Sequence, residues 1–332
     1  MQTIKGEKMK KVLSKNKILS IIFASLFLLL FSFSFVGCGT SPSAKINIVT
    51  TSYSAADWAQ NISRGGDVEV IYLLEKGVDA HNYSPTAKDK IKVLKADMFI
   101  YVGGESESGW LLDAVKDAKQ EQQQINMFNS LESNLKEEET IGSMQGENES
   151  DDEVEYDEHV WLSVKNAKVI CQEICNKLIL LDKENESLYE QNLKDYLKEL
   201  DGLDSQFETL EATKQVNTVV FCDRFPFRYL LNDYNILYDA AFSGCSTDIG
   251  VSPKTVLSLS NTINTNNLKY VVIIENANRN IANAVIEKTN TKDQKILVMN
   301  SLQSVNTKNN PQSYLQAMEH NYQTLRTALE NR

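Results

Sequence analysis

From Lys45 onward the chain alternates between short, nearly continuous apolar runs and longer stretches whose apolar side chains recur every three or four positions. The runs at 46–52, 68–74, 98–103 and 124–128 read as strands, with helical patterns between them at Ser54–Ile62, Pro85–Leu94 and Gly109–Lys119. The scheme then repeats, with strands at 217–222, 235–240, 269–275 and 295–300 joined through Phe227–Asp233, Pro253–Asn264 and Asn278–Lys288. A strand buried on both faces shows an apolar run rather than strict alternation, so the pattern predicts parallel sheets covered by helices. The fold class is α/β in two lobes, each a mainly parallel four-stranded sheet flanked by helices. Between the halves, Asn166–Leu181 reads as one amphipathic helix and Asn185 to about Thr213 as a second, with Leu193, Tyr196, Leu200, Leu203, Phe207 and Leu210 near helical spacing. Only Gly202 interrupts the second. It is read as a long rigid helix joining the lobes, the alternative being a surface helix of one lobe.

The amino terminus follows a different pattern. Lysines 8, 10, 11, 15 and 17 precede an apolar run, Ile18–Val36, that ends in Gly37-Cys38. A charged region, an apolar region and a small residue before a cysteine make a lipoprotein signal, with lipidation at Cys38. The alternative is an uncleaved membrane-spanning helix, since the run is long enough to cross a bilayer; both readings put the remainder outside the cytoplasm. Two acyl chains on Cys38 would anchor the chain to the outer face of the cell membrane, where a single chain holds only marginally. The expected organisation is a signal peptide at 1–37, a lipid-anchored linker at 38–44, an N-terminal lobe at 45–183, a connecting helix at 184–214 and a C-terminal lobe at 215–332.

Charge and cysteine content narrow the function. The formal charge of −11 becomes −16 once the six Lys and one Glu of residues 1–37 are removed. Such acidity argues against nucleic acid as a partner and is compatible with cation handling. Much of it sits in residues 137–158, which hold eleven Asp or Glu and no Lys or Arg. A segment of that composition cannot bury a core and is expected to be a mobile loop, either a functionless insertion or a weak cation collector. Beyond Cys38 there are Cys171, Cys175, Cys222 and Cys245, too few for a disulfide framework. Cys171 and Cys175 fall on the apolar side of a helix and read as small core residues.

The chain has three histidines. His81 follows the strand 68–74 in GVDAHNYSPT, His159 lies between the acidic segment and a helix in DEHVWLSVKNA, and His320 sits among polar residues of the last helix and reads as a surface residue. Ligands of parallel α/β sheets collect beyond the carboxyl ends of the strands. His81 follows such an end, Cys222 closes NTVVFC, and Gln303 and Ser304 follow KILVMN. Two imidazoles and a thiolate suit zinc, whereas magnesium and calcium want oxygen donors.

These segments resemble the zinc- and manganese-binding lipoproteins of bacterial metal ABC importers. The stretch VEVIYLLEKGVDAHNYSPTAKDKIKVLKADMFIYVGGESESGWLLDAV is similar to that family's first lobe, where a histidine follows Gly-x-Asp-Pro and precedes Tyr-x-Pro-Thr. DEHVWLSVKNA is similar to its second histidine motif, Asp-Pro-His-x-Trp-Leu-Asp-Pro-x-Asn-Ala. The loop before that motif, histidine-rich in many zinc members, is acidic here. The resemblance implies two α/β lobes on one long helix, no enzymatic activity, and His81 and His159 as ligands. It puts Cys222, with Asp223 beside it, at the third ligand position in FCDRFPFRYL. The fourth falls on Gln303, with Ser301 and Ser304 as rivals. The cargo implied is Zn2+, with Mn2+ second because that ion prefers the harder donors missing here, and the partner is the membrane permease of an ABC importer. Alternatively, Cys222 pairs with Cys245 and leaves Asp223 as ligand. Two other functions stay open: a degenerate paralogue serving as adhesin or metal buffer, and a zinc hydrolase using Asp223 or Glu275 as base.

Overall fold

The computed structural model describes residues 45–139, 142–144, 155–245, 250–309 and 311–331; the signal segment and Cys38 lie outside them. Two four-stranded sheets form, every pairing parallel. The first has β1 (Ile46–Thr50), β2 (Val68–Tyr72), β3 (Met98–Tyr101) and β4 (Gln123–Asn126) in the order β2-β1-β3-β4. The second has β5 (Thr218–Phe225), β6 (Leu237–Ser243), β7 (Tyr270–Ile274) and β8 (Lys295–Met299) in the order β6-β5-β7-β8. Both sheets reverse direction of growth beside their first strand, which opens a crevice at the carboxyl edge.

Helices α1 (Tyr53–Ile62), α2 (Ala87–Lys95), α3 (Glu105–Lys116) and the short α4 (Met127–Ser130) belong to the first half. Thr86 starts α2 with a capping box to Asp89, which satisfies donors that a helix end leaves free. Then come α5 (Val164–Leu181) and α6 (Glu186–Thr213), the latter 28 residues and roughly 42 Å long at 1.5 Å per residue. Its buried side chains, Tyr189, Asn192, Leu193, Tyr196, Leu200, Leu203, Phe207 and Leu210, recur at three- and four-residue steps and form one stripe. The second half carries α7 (Arg228–Asp233), α8 (Pro253–Asn266), α9 (Asn280–Ile286) and α10 (Tyr314–Glu330). No described helix is long and apolar enough to cross a membrane.

One apolar cluster runs through both halves, from Ile48 and Trp58 by way of Trp161 to Phe221, Leu302 and Tyr314. Trp58 and Tyr314 meet edge to face with ring centroids 5.0 Å apart. A smaller cluster fills the other face of the second sheet and includes Val220, Cys222, Ala241, Val256 and Leu259. Cys171 and Cys175 are buried in the large cluster and His320 is exposed on α10, each as expected.

Two local features depart from expectation. β5 does not end at Cys222; its ladder with β6 shifts register between Phe221 and Arg224 and continues through Phe225. The acidic segment is also not loose at its described ends. Glu137 bridges Tyr156, Glu138 N donates to Glu155 O at 2.8 Å, and Asp157 N donates to Lys136 O at 2.9 Å. Tyr229 of α7 clasps this stem, its hydroxyl accepting from Lys136 N (3.1 Å) and donating to Asp157 O (2.9 Å).

Candidate metal centre

His81 sits in a 3₁₀ turn, Ala80–Asn82, just beyond β2. Asp79 holds that turn by accepting from His81 N at 3.1 Å, and its other oxygen takes Arg224 Nη2 at 2.8 Å from the second sheet. Burial works against the Asp79 charge, but the Arg224 guanidinium keeps its carboxyl below the usual range. On the far side of the ring, His81 Nδ1 lies 3.8 Å from Glu158. Glu158 is itself spent on the start of α3, accepting from Ser106 N at 2.6 Å and from the Ser106 hydroxyl. A carboxylate there also meets the positive end of the helix dipole.

His159 is fully buried ahead of the turn Val160–Leu162. Asp157 accepts from its backbone N at 2.8 Å and lies 3.0 Å from Nδ1. With Nδ1–H donating to the carboxylate, the Nε2 lone pair faces outward, the arrangement that orients and strengthens an imidazole ligand. Burial opposes protonation of His159, but Asp157 raises its affinity for a proton above the ordinary value. His81 goes the other way: burial, then the neighbouring His159, push it down to about 4, so its ring is neutral at physiological pH.

The two Nε2 atoms face each other at 3.3 Å. Nitrogens each bound about 2.05 Å from one tetrahedral ion stand about 3.3 Å apart, so the separation fits a shared zinc-sized ion. The thiol of Cys245 completes the group: His81, His159 and Cys245 place one donor atom each within 4.8 Å of one another. Burial first, then Glu138, raise the pKa of that thiol. Gly244 lets the strand end come this close, since a Cβ there would lie 2.9 Å from His159 Cε1 and 2.9 Å from Phe225 O.

Gln303 reaches the same point from the loop after β8. Its recorded Nε2 lies 3.2 Å from His81 Nε2 and closer still to His159 Nε2. The amide can be turned over, because its nitrogen and oxygen are assigned from their partners. As recorded, the NH2 meets the outward Nε2 lone pairs; an ion between the imidazoles would take up those lone pairs and call for the reverse orientation. Ser301 has one hydroxyl proton, and the Glu275 carboxylate takes it at 2.6 Å while also accepting Ser301 N at 2.7 Å. Ser301 Oγ, 3.3 Å from the amide, is left as an acceptor, so with an ion bound the NH2 can turn to its side and the oxygen to the ion. Leu302 turns the loop with φ 59°, a left-handed conformation costing a non-glycine residue about 1–2 kcal/mol.

The remaining sequence-based candidates lie elsewhere. Cys222 is inside β5, not at its end, and its side chain packs with Ala241 and Leu259 in the smaller apolar cluster. Strand alternation explains this: Val220 and Cys222 share that face, while Val219 and Phe221 point into the large cluster. Cys222 and Cys245 are both free thiols, so the alternative disulfide is not formed. Asp223 turns to backbone groups, Arg224 N at 2.8 Å and Ile274 N at 3.4 Å. Ser301 backs Gln303 instead of replacing it, and Glu275 is committed to Ser301 and is no free base. Cys245, Asp157, Glu158 and Arg224 are the residues sequence reasoning missed. The carboxyl-edge rule that found His81 would have found Cys245 had β6 been extended to Ser243.

The family model described as zinc-uptake complex component A, periplasmic (ZnuA), matches residues 48–328. The chain belongs to the ZnuA family. Among its relatives, the zinc-binding lipoprotein AdcA of Streptococcus pneumoniae is 29% identical over 319 residues, covering 93% of this chain and 60% of AdcA. The chain thus spans less than two thirds of AdcA's length. The manganese ABC transporter substrate-binding lipoprotein ScaA of Streptococcus gordonii is 29% identical over 226 residues, 63% of this chain and 69% of that protein. The Zn(II)-bound ZnuA-like domain of S. pneumoniae AdcA superposes with a TM-score of 0.67 at 25% identity, covering 86% of this chain and 99% of that one. The metal-dependent lipoprotein YcdH of Bacillus subtilis has the same fold, with a TM-score of 0.70 at 24% identity over 86% of this chain and 100% of its own. ZnuA-family proteins are solute-binding metal carriers, not enzymes, so the hydrolase reading falls away.

Proposed function

We propose that this protein captures a divalent transition metal outside the cytoplasm, zinc in preference to manganese, and delivers it to the permease of an ABC importer. In this reading Cys38 is diacylated and tethers the chain to the outer face of the cell membrane. The observation that carries the proposal is the convergence of His81, His159 and Cys245, whose donor atoms lie within 4.8 Å of one another. Gln303 adds a neutral oxygen through its amide. Two neutral imidazoles and a sulfur donor favour zinc over manganese, which binds oxygen-rich sets better. The relatives' names support both ions, AdcA zinc and ScaA manganese, so the proposed order rests on the donor chemistry of this chain.

Elemental mass spectrometry on the full chain purified in detergent tests the reading. About one zinc per chain is expected, lost in His81→Ala and Cys245→Ala and retained in Cys222→Ala. A wild-type chain that stays empty after zinc is added would sink metal capture. Zinc lost from Cys222→Ala and kept by Cys245→Ala would move the thiolate back to the strand.

A further inference from the structure

Resting on that reading, we propose that Glu138, at the foot of the acidic insertion, is an additional ligand that supplies the charged oxygen of the metal site. The make-up of the donor set motivates the search. Two imidazoles, an amide and one thiolate include no charged oxygen, and a bound dication draws nearby carboxylates toward it. Three carboxylates border the site. Asp157 is engaged by His159 at Nδ1 and at the backbone N. Glu158 is engaged through both oxygens by Ser106.

Glu138 is the one with capacity to spare. Its Oε2 lies 3.9 Å from Cys245 Sγ, while its Oε1 is buried without a hydrogen bond of normal geometry. The Cys245 backbone and the Ser243 hydroxyl lie beside the carboxyl and only partly compensate it. An oxygen and a sulfur bound to one zinc stand about 3.6 Å apart, so the 3.9 Å to Sγ suits a shared ion. The carboxylate stands outside the group of donors within 4.8 Å of one another, and its side chain would turn inward on loading to make a fifth ligand.

The surroundings hold Glu138 in place. On one side its backbone pairs with Glu155 in the stem. On the other, Glu139 meets Arg228 at 3.0 Å and Tyr238 at 2.5 Å, and Ser143 binds both oxygens of Asp239 at 2.9 and 3.0 Å. The insertion is thereby fastened across to β6, the strand that delivers Cys245. With the backbone fixed in this way, only the side chain has to be ordered when the ion arrives.

Cobalt(II) serves as the probe, because a cobalt–thiolate bond gives a near-ultraviolet charge-transfer band and the visible d–d bands report the rest of the shell. The full chain in detergent would be compared as wild type, Glu138→Gln, Glu138→Asp and Glu137→Gln, the last a charge-matched control on an exposed neighbour. Glu138→Gln is expected to keep the thiolate band, shift the d–d bands and weaken zinc and cobalt binding about ten- to hundredfold. Glu138→Asp should recover part of the loss, and Glu137→Gln should match wild type. A Glu138→Gln chain indistinguishable from Glu137→Gln in spectrum and affinity overturns the assignment. A wild-type chain without the thiolate band overturns the Cys245 site itself, a failure separate from that of Glu138. The melting temperature of each metal-free variant separates lost ligation from lost fold.

Discussion

Asp57 shows how the sequence places a charge where solvent cannot reach it. It lies on α1 at 8% exposure, takes hydrogen bonds from Asn61 (3.2 Å) and Tyr196 (3.3 Å), and has no cation beside it among its described contacts. Burial raises its pKa from 3.8 to about 6. The folded state therefore binds this proton more tightly than the unfolded chain. The stability it contributes is complete below pH 4 and lost as pH rises through 6. Asp57→Asn should be more stable than wild type at pH 8, by about 3 kcal/mol, with the gap closing below pH 4. Denaturant melts across that range check it, and a gap independent of pH would assign the effect to packing. Legibility also differs residue by residue. His81 and Gln303 could be read because strand ends announce themselves as apolar runs that stop, and His159 because DEHVWLSVKNA resembles a family motif. Cys245 could not: the apolar run of β5 stops at Cys222, but the ladder continues past a register shift that polar Asp223 and Arg224 hide. Backbone pairing, invisible in side-chain polarity, thus chose which cysteine reaches the site.

At the scale of elements, the doubly buried strands were legible because a parallel strand with helices on both faces has no polar positions to interrupt it. The long α6 was legible for the opposite reason, since its one buried stripe leaves a clear period in the sequence. Gly202 is the weak point of that stripe's exposed side: it is exposed in mid-helix, and a Cβ there would meet nothing within 4 Å. Gly202→Ala should therefore stabilise the fold by about 1 kcal/mol and raise the melting temperature by about 2–4 °C. A drop would mean that the glycine bends or accommodates something the helix needs. The acidic insertion was the least legible element. Its composition says only that it cannot form a core, whereas its ends are held by particular partners, Arg228, Tyr229, Tyr238 and Asp239, contributed by the other half of the chain.

Across the whole molecule, the halves are joined by more than α6. Trp161 Nε1 donates to Ser301 O at 2.9 Å, Tyr314 donates to Trp161 O at 3.0 Å, and Arg224 meets Asp79 at 2.8 Å. Zinc loading is therefore expected to alter hydrogen exchange only near residues 77–83, 136–139, 157–160, 243–245 and 300–304, leaving α6, α10 and the sheet strands up to Ser243 unchanged. Protection that spreads along α6 and α10 would show instead that the halves separate. The shared apolar cluster has a consequence for how cargo leaves. If the halves stay joined, no large conformational cost is set against the binding of an ion, and the affinity would be close to the intrinsic strength of the donor set. Under the proposed delivery, the rate of handover would then belong to two short loops, those carrying His81 and Cys245, and a receiver would have to work on those loops rather than wait for the halves to part.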